Sequence, residues 1–257
     1  MDFHVIIPAR YDSSRLPGKV LADIDGKPMI QHVFERSVAS GALSVVVATD
    51  DQRIAKVAEN FGAKICMTAA HHQSSTERLA EAAVLLDFED EDVLVNVQSD
   101  EPLISPRVIR QLANDLIEKE HIKVSTLCQP IQSPEDLFNS DIVKMVMNHR
   151  NYAMYFSRAA IPWDREKFTE TGQLSQYRPK HWQHIGIFAY RVNFLQEYIE
   201  WPSCPLEEME ALEQLRILWN GVRVHVLVSE EKIMHGVKTE ADLEKIRKYV
   251  KENGNKF

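Results

Sequence analysis

Three cations fall close together near the start of the chain, in Pro8-Ala9-Arg10-Tyr11-Asp12-Ser13-Ser14-Arg15-Leu16-Pro17-Gly18-Lys19. Arg10, Arg15 and Lys19, with small hydroxyls and the free N–H groups of a loop, suit a polyanion such as a nucleoside triphosphate. The stretch is neither a Walker A sequence nor a G-x-G-x-x-G fingerprint, and the same residues also describe a solvated basic loop. A second group, Gln98-Ser99-Asp100-Glu101-Pro102, follows an apolar run at 93–97. Carboxylates at such a strand end can hold Mg2+ that bridges to phosphate oxygens; an aspartate there also reads as a helix cap. Thr76-Glu77-Arg78 opens a helical pattern after His71-His72-Gln73-Ser74-Ser75. Its hydroxyl and free N–H groups suit an anion or a base edge, or else a capping turn with a surface ion pair. His71 and His72 have no companions at metal-ligand spacing.

The second half offers a different chemistry. Arg158 and Arg165 stand beside aromatic residues in Tyr155-Phe156-Ser157-Arg158 and Ile161-Pro162-Trp163-Asp164-Arg165. Guanidinium groups suit a carboxylate through bidentate pairing. His184 and Tyr190 flank a strand-like run, and Glu210, Glu213 and Gln214 are spaced to share one face of a helix. Such side chains suit a polyhydroxylated ligand, although acidic residues on an amphipathic helix also describe its solvated face.

The elements that must position these groups follow from the apolar pattern. Strands are expected at 3–8, 43–48, 64–67 and 93–97, and helices at 29–40, 52–61, 75–86 and 105–119. This alternation predicts an α/β fold with a mostly parallel, doubly wound sheet. It brings the loop at 8–19, Asp50-Asp51 and 98–102 to one edge, at the carboxyl ends of the strands, where open α/β sheets bind ligands. Asp50 and Asp51 are expected to cap the helix that follows them. Further on, strands are expected at 124–131, 142–147, 153–157, 185–191 and 222–227, and helices at 192–199, 206–219 and 240–253. The polar stretch 165–180 reads as a dimer arm, a lid or a plain loop.

Composition narrows the class. A chain of 257 residues suits one large α/β domain or one with an insertion. The net charge of −8 argues against general nucleic-acid binding and makes the basic loop a local exception. Cys66, Cys128 and Cys204 are far apart with no C-x-x-C, which fits reduced thiols and not a disulfide framework or zinc site. No signal-peptide pattern and no membrane-length apolar stretch is present, so a cytoplasmic protein is expected.

Taken in order, the segments closely resemble the 3-deoxy-manno-octulosonate cytidylyltransferases (CMP-Kdo synthetases). The matching stretches are 8–19, Gly26-Lys27-Pro28-Met29-Ile30, Val47-Ala48-Thr49-Asp50, Met67-Thr68, Thr76-Glu77-Arg78-Leu79-Ala80-Glu81, Val95-Asn96-Val97-Gln98, Asp100-Glu101-Pro102, 155–165, 184–191 and Leu212-Glu213-Gln214-Leu215-Arg216. They run through nearly the whole chain and are specific jointly, not singly. The resemblance implies a nucleotide-diphospho-sugar transferase-like fold over 1–257, with 1–122 mainly nucleotide-binding, 123–221 mainly sugar-binding and dimerising, and 222–257 returning to the core. It implies a homodimer that uses Mg2+ to convert CTP and the sugar acid Kdo to CMP-Kdo and pyrophosphate, for lipopolysaccharide biosynthesis. By resemblance, Arg10, Arg15 and Lys19 hold the triphosphate, Arg78 and Gln98 select cytidine, and Asp100 binds the metal. Arg158, Arg165, His184, Tyr190, Glu213 and Gln214 form the sugar-acid pocket.

Three motif positions depart from the family. Ser75 and Ser99 stand where its members usually have glycine, which permits positive φ or close approach of a ligand. In Gly236-Val237-Lys238-Thr239, Lys238 stands where the family has a metal-binding aspartate. An ammonium cannot ligate Mg2+; it repels the ion or replaces part of its charge. Three readings follow: an active enzyme with an altered metal site, a nucleotide-binding paralogue with little catalysis, or a cytidylyltransferase for a related sugar acid. A dehydrogenase is disfavoured, because no dinucleotide fingerprint follows the first strand.

Overall fold

The computed structural model describes residues 2–253 apart from 14, 167, 169–180 and 235. In chain order the strands are β1 (His4–Ala9), β2 (Asp23–Ile24), β3 (Lys27–Pro28), β4 (Ser44–Thr49), β5 (Lys64–Met67), β6 (Val93–Asn96), β7 (Val124–Pro130), β8 (Lys144–Met147), β9 (Ala153–Ser157), β10 (Trp182–Arg191) and β11 (Val224–Val228). The helices are α1 (Met29–Ala39), α2 (Gln52–Asn60), α3 (Ser75–Leu85), α4 (Pro106–Glu118), α5 (Pro134–Phe138), α6 (Val192–Ile199), α7 (Pro205–Glu210), α8 (Gln214–Trp219) and α9 (Glu240–Asn253), with one 3-10 turn at Lys19–Leu21.

The main sheet runs β11-β7-β10-β6-β1-β4-β5. β1 lies parallel to β4 and β6, β4 to β5, and β7 to β11. β10 runs antiparallel between β6 and β7, and the β8–β9 hairpin hangs from it. The sheet is therefore mostly parallel, as the alternating strands and helices predict. Both faces are covered, which is why the inner strands are continuously apolar. Along β6, Val93 and Val95 enter the core beneath α1, α2 and α4, while Leu94 enters the opposite core beneath α3, α6 and α8. A smaller cluster seats α9 on Ile24 and Met29 through Val237, Leu243, Ile246 and Val250.

Caps set the helix starts that frame the site. Asp51 accepts from the amides of Arg53 and Ile54 at the start of α2, and Ser74 accepts from Glu77 N at the start of α3. Asp50 does not share this role; it pairs with Arg78.

One expected element is corrected. The stretch 206–219 is not a single helix: Ala211, at φ 50° in the left-handed region, ends α7, and α8 begins afresh at Gln214. Glu210 thus closes one helix while Glu213 precedes the next without capping it, and the shared helical face does not exist. Glu210 instead binds Ser157 Oγ at 2.7 Å and Arg158 N at 2.8 Å. Of the stretch 165–180, all but 165, 166 and 168 lies outside the described residues. The three cysteines are free and buried. Among the described residues no helix is long and apolar enough to cross a membrane.

Candidate functional site

The parallel strands β1, β4, β5 and β6 deliver their carboxyl ends to one edge, and two hollows open there. The smaller, about 170 Å3, is lined by the loop after β1 together with Arg78, Gln98, Ser99 and Asp100. The larger, about 620 Å3, shares Arg10, Ser75, Gln98 and Asp100 with it and extends to His184, Glu213, Gln214 and Lys238. Arg10, Gln98 and Asp100 from the first half therefore meet His184, Glu213 and Gln214 from the second across one cleft, whereas Arg15 and Tyr190 are not among the described residues lining either hollow.

On the smaller side Lys19, Arg15 and Arg78 are already engaged. The loop after β1 closes where Gly18 N donates to Tyr11 O at 2.9 Å. Gly18 sits at φ +69°, and a Cβ there would fall 3.0 Å from the Tyr11 ring, so the place suits glycine on both counts. This turn aims Lys19, whose Nζ lies 2.5 Å from Asp100 Oδ2 and 3.0 Å from Val237 O. Arg15 is more exposed and pairs with Asp141 at 3.2 Å; Arg10 is exposed and lines both hollows. Arg78 is buried and fixed by Asp50 at 2.9 Å and Thr68 Oγ1 at 2.5 Å.

The two serine departures are tolerated by the backbone. Among the described residues the non-glycine positions with positive φ are Asp25, Asp87, Asn151 and Ala211, so neither Ser75 nor Ser99 needs glycine for its backbone angle. Ser75 Oγ also makes new bonds, donating to Glu213 Oε1 at 3.0 Å and accepting from Gln98 Nε2 at 3.3 Å. It ties the two sides of the cleft together.

The third departure lies on a segment laid tightly over Asp100 and Glu101. Val237 N donates to Asp100 O at 2.8 Å. A Cβ at Gly236 would fall 2.5 Å from Glu101 Oε1 and 2.9 Å from Asp100 O, so only glycine fits. Burial and the neighbouring Asp100 raise the Glu101 carboxyl, with Lys238 and Lys19 opposing them. Lys238 lines the larger hollow, and its Nζ donates to Asp141 O at 3.1 Å. Asp242 does not replace the missing carboxylate: within the first turn of α9 it accepts from Thr239 N at 2.9 Å and Lys238 N at 3.1 Å, while its own amide donates to Thr239 Oγ1. Burial alone would raise its carboxyl; those bonds hold it low.

No cluster of three or more His, Cys, Asp or Glu arranged for a metal occurs among the described residues. The donors at hand are Asp100 and, beside it, Glu101. That set fits Mg2+, which takes one or two carboxylates and completes its shell with substrate phosphates and water.

On the larger side, His184 is buried between polar partners. Gln214 Nε2 donates to its Nδ1 at 3.5 Å, and Nε2 meets Thr126 Oγ1 at 2.8 Å, which in turn donates to Ile187 O at 2.8 Å. Burial lowers its pKa to about 3, so the ring is neutral. Glu213 accepts from Ser75 Oγ and from Thr76 N at 3.4 Å. Tyr190 is a core residue stacked between Phe188 and Phe194, its hydroxyl 3.3 Å from Thr76 Oγ1. Arg158 and Arg165 are not among the described residues lining either hollow. The Arg158 guanidinium is taken up by the carbonyls of Ser140, Glu210 and Ala211, and Arg165 is exposed. Asp141 and Gln183 line the cleft without a signal in the sequence; a lone aspartate in a polar turn and a glutamine at a strand start are unremarked anywhere.

The family model described as cytidylyltransferase matches residues 4–233. A 3-deoxy-manno-octulosonate cytidylyltransferase of Coxiella burnetii (strain RSA 493 / Nine Mile phase I) is 58% identical over 249 residues, covering 97% of this chain and 100% of the relative. The protein of that name from Idiomarina loihiensis is 52% identical over 248 residues, covering 96% and 98%. Among solved structures, CMP:2-keto-3-deoxy-manno-octonic acid synthetase complexed with CTP superposes with a TM-score of 0.88 at 40% identity, over 98% of this chain and 99% of that one. A nucleotidyl transferase from Methanothermobacter, at 14% identity and a TM-score of 0.59 over 98% of this chain and 99% of its own, shares the fold alone.

Proposed function

The chain belongs to the cytidylyltransferase family, and from that premise we propose that it transfers CMP from CTP to the anomeric hydroxyl of Kdo, releasing pyrophosphate, for lipopolysaccharide biosynthesis. The observation that carries this reading is the cleft itself. The cations and carboxylate at the ends of β1 and β6 face the His184–Gln214 wall across one continuous space. The non-catalytic reading is not favoured against 58% identity over the full length of a named enzyme.

In this reading the anomeric oxygen attacks the α-phosphorus in line, forming the sugar oxygen–phosphorus bond as the phosphorus–oxygen bond to pyrophosphate breaks, and the hydroxyl proton passes to water. The protein's contribution is positioning and charge stabilisation, with no covalent intermediate. Lys19 exchanges Asp100 for phosphate oxygens, Arg15 exchanges Asp141 for the same charge, and Arg10 binds from the shared rim. Asp100 is thereby freed for Mg2+, which when bound neutralises the triphosphate. Arg78 and Gln98, held by Thr68 and Ser75, select cytidine at the smaller hollow. Neutral His184, Gln214 and Glu213 present polar edges to the sugar hydroxyls, and Tyr190 supports them through Thr76. The assignment of the sugar carboxylate to Arg158 and Arg165 rests on the resemblance alone. The division into a nucleotide side (1–122), a sugar side (123–221) and a returning segment (222–257) is supported by which residues line each hollow.

We further propose a cytoplasmic homodimer. Its support is the apolar surface on adjoining elements: Met154 on β9, Met209 on α7 and Trp219 on α8 are 63%, 79% and 57% exposed. Chromatography of products from CTP with Kdo, an amino-substituted Kdo or other sugar acids tests the function. CMP-Kdo as the dominant product is expected; turnover mainly of another acid would overturn the substrate.

A further inference from the structure

Four consecutive carbonyls, Asn139 to Ile142, each receive a cationic donor, and the last two of these residues line the larger hollow. Lys144 Nζ donates to Asn139 O at 2.8 Å and to Ile142 O at 2.6 Å. Arg158 Nη1 donates to Ser140 O at 2.9 Å, and Lys238 Nζ to Asp141 O at 3.1 Å. The turn is also closed from within, by Ile142 N to Asn139 O at 3.2 Å and Asp141 N to Asn139 Oδ1 at 2.9 Å. A turn in a connecting segment ordinarily leaves its carbonyls to water.

Lys144 is the informative member. Its side chain is fully buried in β8, and among the described residues no carboxylate stands within ion-pair distance of it. Burying an ammonium on neutral carbonyls is costly. A methionine there would avoid that cost but take the donor from the Asn139 and Ile142 carbonyls, so what the lysine secures is the turn.

What the turn carries accounts for the lysine. Asp141, Ile142 and Val143 line the hollow. Asp141 holds Arg15 on the nucleotide side, while Val143 O accepts the amide of His184 at 2.8 Å on the other. Lys144 itself pairs across the sheet with Gln183, which also lines the hollow. We infer that Lys144 is a positioning residue for the acceptor sugar, holding turn 139–142 so that the His184–Gln214 wall keeps its place relative to the triphosphate cations. This rests on the reading of the cleft given above, and Lys144 touches no reacting atom.

The ammonium has a further signature. Burial lowers it to about 8, helped by Arg158 from the end of β9 and opposed by Glu210 from α7. Above that pH the charge is lost and its bonds to the turn weaken.

Steady-state kinetics of the wild type, Lys144→Met and Lys144→Arg, with CTP affinity by calorimetry, test the inference. Lys144→Met is expected to bind CTP within about twofold of the wild type while its KM for Kdo rises roughly tenfold, the loss of charged hydrogen bonds to the wall. Lys144→Arg is expected to recover most of that KM. The wild-type KM for Kdo should climb above the lysine's pKa, and that of Lys144→Arg should stay level. A merely destabilised protein would lose active fraction, and so kcat, without moving KM. Should Lys144→Met not fold, the pH comparison of wild type with Lys144→Arg decides. An unchanged KM in Lys144→Met, or the same alkaline rise in Lys144→Arg, overturns the inference while leaving the function standing. A wild type that makes no CMP-Kdo overturns both together.

Discussion

Arg15 and Lys19 differ in how much each gives up to bind a triphosphate. The Arg15–Asp141 pair is about half exposed on both sides, so solvent screens it and it is easily exchanged for phosphate. Arg15→Ala is expected to weaken CTP binding roughly tenfold, the loss of charged hydrogen bonds; calorimetry showing unchanged affinity would remove Arg15 from the triphosphate site. Lys238 places a cation opposite Glu101 and next to the carboxylate proposed for the metal. Lys238→Asp is expected to lower the Mg2+ concentration for half-maximal activity several-fold by reversing that charge; an unchanged requirement would show that Lys238 stands apart from the metal. His184 carries a pH signature in stability. Its folded-state pKa lies below the unfolded value, so stability is full above about 6.5 and is lost as pH falls from there toward about 3. Between pH 7 and pH 5 this amounts to about 2 kcal/mol. Urea unfolding should show His184→Gln losing that much less than the wild type over the interval, and equal losses would place the ring in contact with solvent.

The elements divide into those that announce themselves and those that do not. β1, β4 and β6 are short apolar runs because both faces of a parallel sheet are buried, and Asp51, Ser74 and Ser105 mark the starts of α2, α3 and α4. Their carboxyl ends gather Arg10, Lys19, Asp100 and Gln98 at a place readable from the order of elements. The break between α7 and α8 is not readable: Glu210-Ala211-Leu212-Glu213 are all good helix formers, and only tertiary packing puts Ala211 at φ 50°. Ala211→Gly should therefore stabilise the protein by about 1 kcal/mol in chemical denaturation, by relieving the left-handed conformation. A loss of stability would mean that the Ala211 methyl group packs there. Lys144 was hidden for a different reason. Lysine is almost never fully buried, so its presence in a strand pattern points outward until the turn beneath it is seen. The pairing of Lys19 with Asp100, 81 residues apart, likewise follows from strand order and not from any local motif.

At the scale of the whole molecule, one sheet edge brings the two halves of the chain to a common cleft, and the apolar surface on β9, α7 and α8 is left over. Trp219→Glu is expected to shift the protein from dimer to monomer in sedimentation; a wild type that is already monomeric would contradict the proposed assembly. The central claim is transfer of CMP to Kdo, and pyrophosphate release measures it most directly. With CTP, Kdo and Mg2+ together, pyrophosphate should appear in step with CMP-Kdo, and leaving out Kdo or chelating the metal should abolish it. Tight binding of CTP with no pyrophosphate released above background would contradict the account.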